Sequence, residues 1–363
     1  MKKIGILTFH RALNYGAVLQ TFALEKKINE IGKEQVCAEI VDYRNAYIEK
    51  GRSVSERITP FSVGKLLSAG LLIYKRAIFN SFIKKHVRCS QQSFRRADIS
   101  EANNSYEAFI VGSDQVWNYQ LTAKDHSYLL DFAKENVKRF SYAASMGIKK
   151  LDDNIIQEYV QQLGGFKQIS VRENETSSYL SQVLENKKIL THIDPTLLLT
   201  QTEWNVIASN GKAKEKYILV YNVPKPDQLF ELAEQLSIDT GLRIKYITNN
   251  QRPKRHAKDL VYPSVEEFIR LFSDASYVIT NSFHGTVFSI IFHCPMLVEL
   301  KEGSTSHDRI NTLLGECGLL NRISGEMGYE AIFEEINWGH VDSQINKLRV
   351  SAFEYLKEII DEI

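Results

Sequence analysis

The residues best suited to chemistry lie in TNSFHGTVFSIIF, Thr280–Phe292, where a β-branched run ends in small polar residues and His-Gly-Thr opens an apolar stretch. A strand that turns into a helix there leaves the first helical amides unpaired, and such amides favour phosphate or carboxylate. Gly285 permits close backbone approach and Thr286 can cap, with Ser282 among the polar residues before them. His284 stands at the mouth as a general acid or phosphate ligand, since imidazole serves either role near neutral pH. The competing reading is structural: His284 packs at the strand end and Gly285 serves only the turn.

Other junctions have the same form. In NYGAVLQ, Asn14, Tyr15 and Gly16 lead from the first strand into a helix, a phosphate-cradling pattern without GxGxxG, which disfavours a dinucleotide. His10 and Arg11 precede it and either face a ligand or form an exposed loop pair. FIVGSDQVWN ends a buried run in Gly-Ser-Asp. There Asp114 is a candidate general base toward an acceptor hydroxyl, Ser113 and Asn118 are candidate contacts, and Trp117 is a candidate sugar-stacking face. An Asp that merely caps the turn is the alternative. SVRENETSS sets Arg172 at a strand end and Glu173 at a helix start. Arg172 there either holds an anion bidentately or forms a structural salt bridge. HIDPT adds His192 and Asp194, the latter a turn residue in the simpler reading. In SHDRINTLL, Asp308 reads as an N-cap or first-turn acid, and Arg309 could point into the cleft.

Composition limits the classes of function. Lys plus Arg (45) nearly equals Asp plus Glu (44), so no long-range basic field draws nucleic acid. Cys37, Cys89, Cys294 and Cys317 show no CxxC or zinc spacing, which points to a reducing compartment without disulfides or structural metal. The opening MKKIGIL is too short for a signal-peptide core, and no apolar run reaches the ~20 residues of a membrane span. A cytoplasmic protein is expected. Gly64–Arg96 interleaves Lys75, Arg76, Lys84, Lys85, His86, Arg88, Arg95 and Arg96 with Leu, Ile and Phe. It is either a solvated helix face over a core or a surface for anionic lipid.

To position these residues the chain needs strands alternating with amphipathic helices, the rhythm of βαβ units. Strands are expected at Lys3–Phe9, Val36–Tyr43, Ala108–Val111, Arg139–Ala143, Ile169–Arg172 and Thr191–Ile193. A second series runs over Tyr217–Val223, Arg243–Thr248, Leu260–Tyr262, Tyr277–Thr280 and Met296–Leu300. Between them, helices are expected at Ala17–Ile31, Asp227–Thr240, Val265–Ser273, Thr286–His293 and Ile310–Cys317, with a last one near Val341–Ile363. At 363 residues, two domains are favoured over one core. The fold class expected is α/β, two Rossmann-like domains facing across a cleft. Residues 1–208 form the acceptor side, 209–335 the phosphate side, and 336–363 a helix packing back over the junction.

Six segments in order resemble the polysaccharide pyruvyltransferase family: ILTFHRALNYGAVLQ, FIVGSDQVWN, SVRENETSSYL, HIDPTLLL, TNSFHGTVFSIIFHCPML and DRINTLLGECGL. The resemblance runs along nearly the whole chain and implies a glycosyltransferase-B-like fold. It further implies transfer of pyruvate from phosphoenolpyruvate to a sugar of a cell-surface polysaccharide precursor as a ketal, with no cofactor or metal required. The acceptor implied is a sugar, free or linked to polyprenyl diphosphate and met at the inner membrane surface. Arg172 matches the family's arginine after the strand and His284 its second-domain histidine. Many members carry an arginine two residues before that histidine, where this chain has Ser282. Arg309, Arg172 or His307 would then hold the donor's charge. The rival readings are a nucleotide-sugar glycosyltransferase of the same fold and, behind it, a glycan-binding protein.

Overall fold

A computed structural model describes residues 1–50, 63–211, 215–222, 228–248, 259–300, 306–325 and 329–363. They divide into one unit of Met1–Leu198 with Lys347–Ile363 and a second of Leu199–Asn346. The division falls before helix Gln201–Ile207, because Trp204 of that helix packs edge-on to Phe288, ring centroids 5.2 Å apart. The second unit thus begins ahead of the 208/209 boundary expected from sequence.

In the first unit β1 (Lys2–Leu7) is central, and Ile4, Gly5, Ile6 and Leu7 are all buried, as a strand covered on both faces requires. It pairs in parallel with β2 (Val36–Tyr43) on one side and β4 (Ala108–Val111) on the other. With β3 (Cys89–Phe94) and β5 (Lys138–Ser141) the sheet order is β3-β2-β1-β4-β5. The ladder of β6 (Ile169–Val171) and β7 (Ile189–Thr191) joins it through bridges Phe140–Gln168 and Ala144–Val171. Chain direction through the sheet reverses between β1 and β4, the switch point at which open α/β sheets bind ligands.

Helix Tyr15–Gly32 covers this sheet; its end comes at Gly32, after which Lys33 takes φ 45°. The long helix Val63–His86 packs its inner face on the first, through Phe79 against Tyr15 and Phe82 against Phe22. Near the C-terminus Tyr355 donates to Ser141 O at 2.8 Å, within the same unit.

The second unit has four parallel strands, β8 (Tyr217–Asn222), β9 (Arg243–Thr248), β10 (Tyr277–Thr280) and β11 (Met296–Val298), ordered β11-β10-β8-β9. Its switch point lies between β8 and β10. Ile218, Val220, Leu229, Phe230, Leu236, Ile279 and Leu297 fill its core. Ser264 and Glu267 form a reciprocal capping box on helix Val265–Asp274.

Two expectations need correction, and one strand has no counterpart among them. Leu260–Tyr262 is no strand; Leu260 alone bridges Tyr246. β7 ends at Thr191, two residues before the expected Ile193, because Pro195 opens a 3-10 turn. β3 was not foreseen: CSQQSF is a polar edge strand with one buried residue, Phe94, and so carries no apolar alternation.

Candidate functional site

At the switch point of the first unit, the chain after β4 passes through Gly112 at φ 119° and Asp114 at φ 74°. A side chain at Gly112 would place its Cβ 2.2 Å from Tyr142 O, so only glycine fits. Ser113 between them is fully buried. Its amide donates to Gln20 Oε1 at 3.2 Å, its carbonyl accepts from Thr8 Oγ1 at 3.0 Å, and Gln20 Nε2 donates to Thr8 Oγ1 at 2.8 Å. The Ser113 hydroxyl donates to Ala143 O at 2.7 Å. These bonds fix the turn from which Asp114 projects. The Asp114 side chain keeps 18% exposure, which leaves its carboxylate within reach of a ligand.

Arg172 sits at the carboxyl end of β6, its side chain 3% exposed. Its Nη1 donates to Asp194 Oδ2 at 2.7 Å; Nε lies 3.5 Å from Glu173 Oε1, and Nη2 lies 3.9 Å from Asp114 Oδ1. Burial works against the guanidinium charge, but Glu173, Asp194 and Asp114 outweigh it and raise the Arg172 pKa above its usual value. With three carboxylates around one cation, this is the structural salt bridge rather than the anion clamp. Glu173 is held in turn by Ser145 Oγ at 2.5 Å and Thr176 Oγ1 at 3.3 Å. Asp194 accepts from Thr196 N at 3.0 Å and Thr196 Oγ1 at 2.6 Å, so it is a turn residue and the partner of Arg172 at once.

Several expected contacts belong to the scaffold. Trp117 is fully buried, donates to Tyr128 O at 3.0 Å and packs edge-on to Phe166, so the sugar-stacking role is corrected. Asn118 caps helix Tyr119–Thr122, accepting from Gln120 N and Leu121 N. Asn14 caps Tyr15–Gly32 through Ala17 N. Tyr15 is buried, with its ring on Phe79, and Gly16 is buried beside it.

His10 and Arg11 converge on Asp42, at the carboxyl end of β2. His10 Nε2 lies 2.9 Å from Asp42 Oδ1, while Arg11 reaches both oxygens at 2.6 Å. Burial raises the Asp42 pKa, but bonds to His10, Arg11 and Ser93 prevail and hold it far below the carboxylate range. Sequence reasoning missed Asp42, although it ends a strand just as Asp114 follows one.

In the second unit β10 ends at Thr280, and helix Phe283–Ile291 starts at the switch point with Ser282 as its N-cap, accepting from Gly285 N at 3.3 Å. A Cβ on Gly285 would meet Thr280 Oγ1 at 2.3 Å; this glycine therefore serves helix–strand approach. Thr286 Oγ1 donates to Ser282 O at 3.1 Å. Ser282 and Thr286 thus serve the helix start. His284 is 8% exposed, in the first turn. Arg309, 7% exposed, comes from helix Ser306–Cys317 and lies over the Phe283 ring, 5.5 Å from its centroid. An arginine, a histidine and a helix N-terminus therefore share one end of this sheet, a set suited to an anion. His307 belongs to the same helix as Arg309, but its side chain lies outside the described residues.

The family model for polysaccharide pyruvyl transferase matches residues 14–298, from the cap of the first helix to the end of β11. The chain belongs to the polysaccharide pyruvyl transferase family. No curated protein matches the sequence. Among solved structures, the S. aureus MnaA-UDP co-structure aligns with a TM-score of 0.53 at 12% identity, over 99% of this chain and 91% of that one. A Listeria monocytogenes structure assigned as UDP-N-acetylglucosamine 2-epimerase gives 0.53 at 11% identity, over 99% and 98%. At that identity the likeness concerns fold alone, and it puts the chain among two-domain, Rossmann-like α/β proteins of glycosyltransferase-B-like type.

Proposed function

We propose that the protein transfers pyruvate from phosphoenolpyruvate to a sugar of a cell-surface polysaccharide precursor, forming a cyclic ketal. The observation that carries this reading is His284 and Arg309 at the N-terminus of helix Phe283–Ile291, in a chain matched by the pyruvyl transferase family over residues 14–298. Phosphoenolpyruvate bears a phosphate, a carboxylate and a nucleophilic C3. The helix amides and Arg309 would hold anionic oxygens, with Arg309 taking over the charge that Ser282 cannot supply. His284 would donate a proton to C3, making C2 electrophilic. A sugar hydroxyl that loses its proton to Asp114 adds to C2, the C2–O bond to phosphate breaks, and a second hydroxyl closes the ring as its proton is released. The sum is phosphoenolpyruvate plus diol giving ketal plus inorganic phosphate. Positioning and electrostatics then carry most of the catalysis. Arg172 acts here as a positioning residue, holding Asp114, Glu173 and Asp194 in one arrangement. The reaction would be cytoplasmic, on an acceptor such as a polyprenyl-diphosphate-linked oligosaccharide destined for exopolysaccharide or capsule.

A nucleotide-sugar transferase is the second reading, since a diphosphate suits the same helix terminus and the S. aureus protein of similar fold is a UDP co-structure. Thermal shift separates them. Phosphoenolpyruvate should raise the unfolding temperature of the wild type and not of Arg309→Ala, while UDP-sugars should leave it unmoved. Stabilisation by a UDP-sugar and none by phosphoenolpyruvate would reverse the assignment.

A further inference from the structure

The charge of the chain is unevenly distributed. Residues 63–97 hold Lys65, Lys75, Arg76, Lys84, Lys85, Arg88, Arg95 and Arg96 and not one of the 44 carboxylate side chains, although the whole chain is close to neutral. Most of this stretch is helix Val63–His86. The helix is anchored from within: Ala69, Leu72, Phe79 and Phe82 are buried, and Phe79 and Phe82 contact the helix beneath. Its opposite face is exposed, and Ile73, Tyr74, Ala77, Ser81, Lys84 and Lys85 fall on it at spacings of three and four residues. Ile73 is 55% and Tyr74 43% exposed, which puts two large apolar side chains about three turns before the lysine pair. A solvated helix face ordinarily mixes both signs in i,i+4 pairs. This helix combines a protruding aliphatic and aromatic pair with basic residues and no carboxylate of its own sequence, the pattern of a surface helix seated on anionic lipid.

We infer that the outer face of helix Val63–His86 docks the protein on an anionic phospholipid bilayer, with Ile73 and Tyr74 entering the headgroup region and Lys84 and Lys85 meeting lipid phosphates. No helix among the described residues is long and apolar enough to cross a membrane, so contact through this helix is peripheral. The inference stands apart from the choice of donor: a lipid surface reads only charge and protruding apolar groups. Each basic residue near such a surface strengthens partition about fivefold, and salt screens the effect over a Debye length of ~10 Å at 0.1 M.

The test is co-sedimentation of the full chain with phosphatidylcholine vesicles, with and without phosphatidylglycerol. Binding should require phosphatidylglycerol and weaken as salt rises. Lys84→Glu/Lys85→Glu should lower the partition coefficient at least about tenfold, and Ile73→Ser/Tyr74→Ser should weaken what survives in high salt. Since all four side chains are exposed, thermal melts should match the wild type and report intact folding. Absence of wild-type binding to phosphatidylglycerol vesicles, or binding indifferent to Lys84→Glu/Lys85→Glu, would overturn the inference. Self-association in sedimentation velocity that is lost in Ile73→Ser/Tyr74→Ser, without vesicle binding, would assign the face to a second copy instead.

Discussion

Arg172 Nη1 donates to Asp194 Oδ2 at 2.7 Å, with both side chains at most 3% exposed, and this bond ties the end of β6 to the turn after β7. Removing one partner of a buried pair strands the other charge, typically at 3–5 kcal/mol. Asp194→Asn should fall at the lower end, about 3 kcal/mol, because Glu173 and Asp114 still face the guanidinium. Arg172→Met should cost more, since three carboxylates then repel without a cation. Urea unfolding of both variants checks the order. Wild-type stability in Arg172→Met would show that the cluster does not hold this part of the sheet.

Asp114→Asn should separate chemistry from stability. Asn tolerates φ 74° as well as Asp does and can still accept from the Gln115 amide, so the turn should survive. Loss of a general base should lower kcat by about 10²–10⁴. Steady-state kinetics together with a thermal melt would decide it; a variant with wild-type kcat would remove Asp114 from the mechanism.

Gln20 should act on the same step at a distance. It clamps Ser113 from a fully buried position, so Gln20→Leu should leave the Ser113 amide and Thr8 hydroxyl short of partners, at about 1–3 kcal/mol of stability. Asp114 should then sit less firmly, lowering kcat with little change in KM for phosphoenolpyruvate. If instead KM alone rises, the clamp serves donor binding.

Two buried groups in the first unit bias stability with pH in opposite directions. Burial pushes His192 down to about 4, so the unfolded chain takes up its proton first and stability is lost as pH falls from about 6.5 to 4. Burial pushes Glu25 up to about 7, so stability is lost as pH rises from about 4.5 to 7. Each effect amounts to about 3 kcal/mol, and over their shared window they offset each other. Denaturation of Glu25→Gln should therefore show stability falling toward pH 4.5, whereas His192→Phe should show it falling toward pH 7. Flat profiles in both variants would refute the pairing.

Elements with strong local patterns were readable from sequence. Val36–Tyr43, Ala108–Val111, Arg243–Thr248 and Tyr277–Thr280 have the expected bounds because apolar β-branched runs flanked by polar residues admit few alternatives. Strand ends could likewise be picked out as candidate sites. Which side chain points outward could not, because it depends on partners distant in sequence. Trp117 is consumed by Tyr128 and Phe166, and Arg172 by Asp194, 22 residues on. Asp42 and Gln20 were missed for the same reason: a lone polar residue in an apolar run gives no sign of what it will hold. Gln20 carried a faint one, a fully buried amide in an apolar helix, which must be hydrogen-bonded somewhere.

The most direct test of pyruvyl transfer is mass spectrometry of a lipid-linked saccharide after incubation with the full chain and phosphoenolpyruvate, with free phosphate measured in parallel. The saccharide should gain the mass of a pyruvate ketal, one phosphate should appear per ketal formed, and both signals should vanish in His284→Ala. A mass gain without phosphate release, or turnover only when a nucleotide sugar replaces phosphoenolpyruvate, would contradict the proposed reaction.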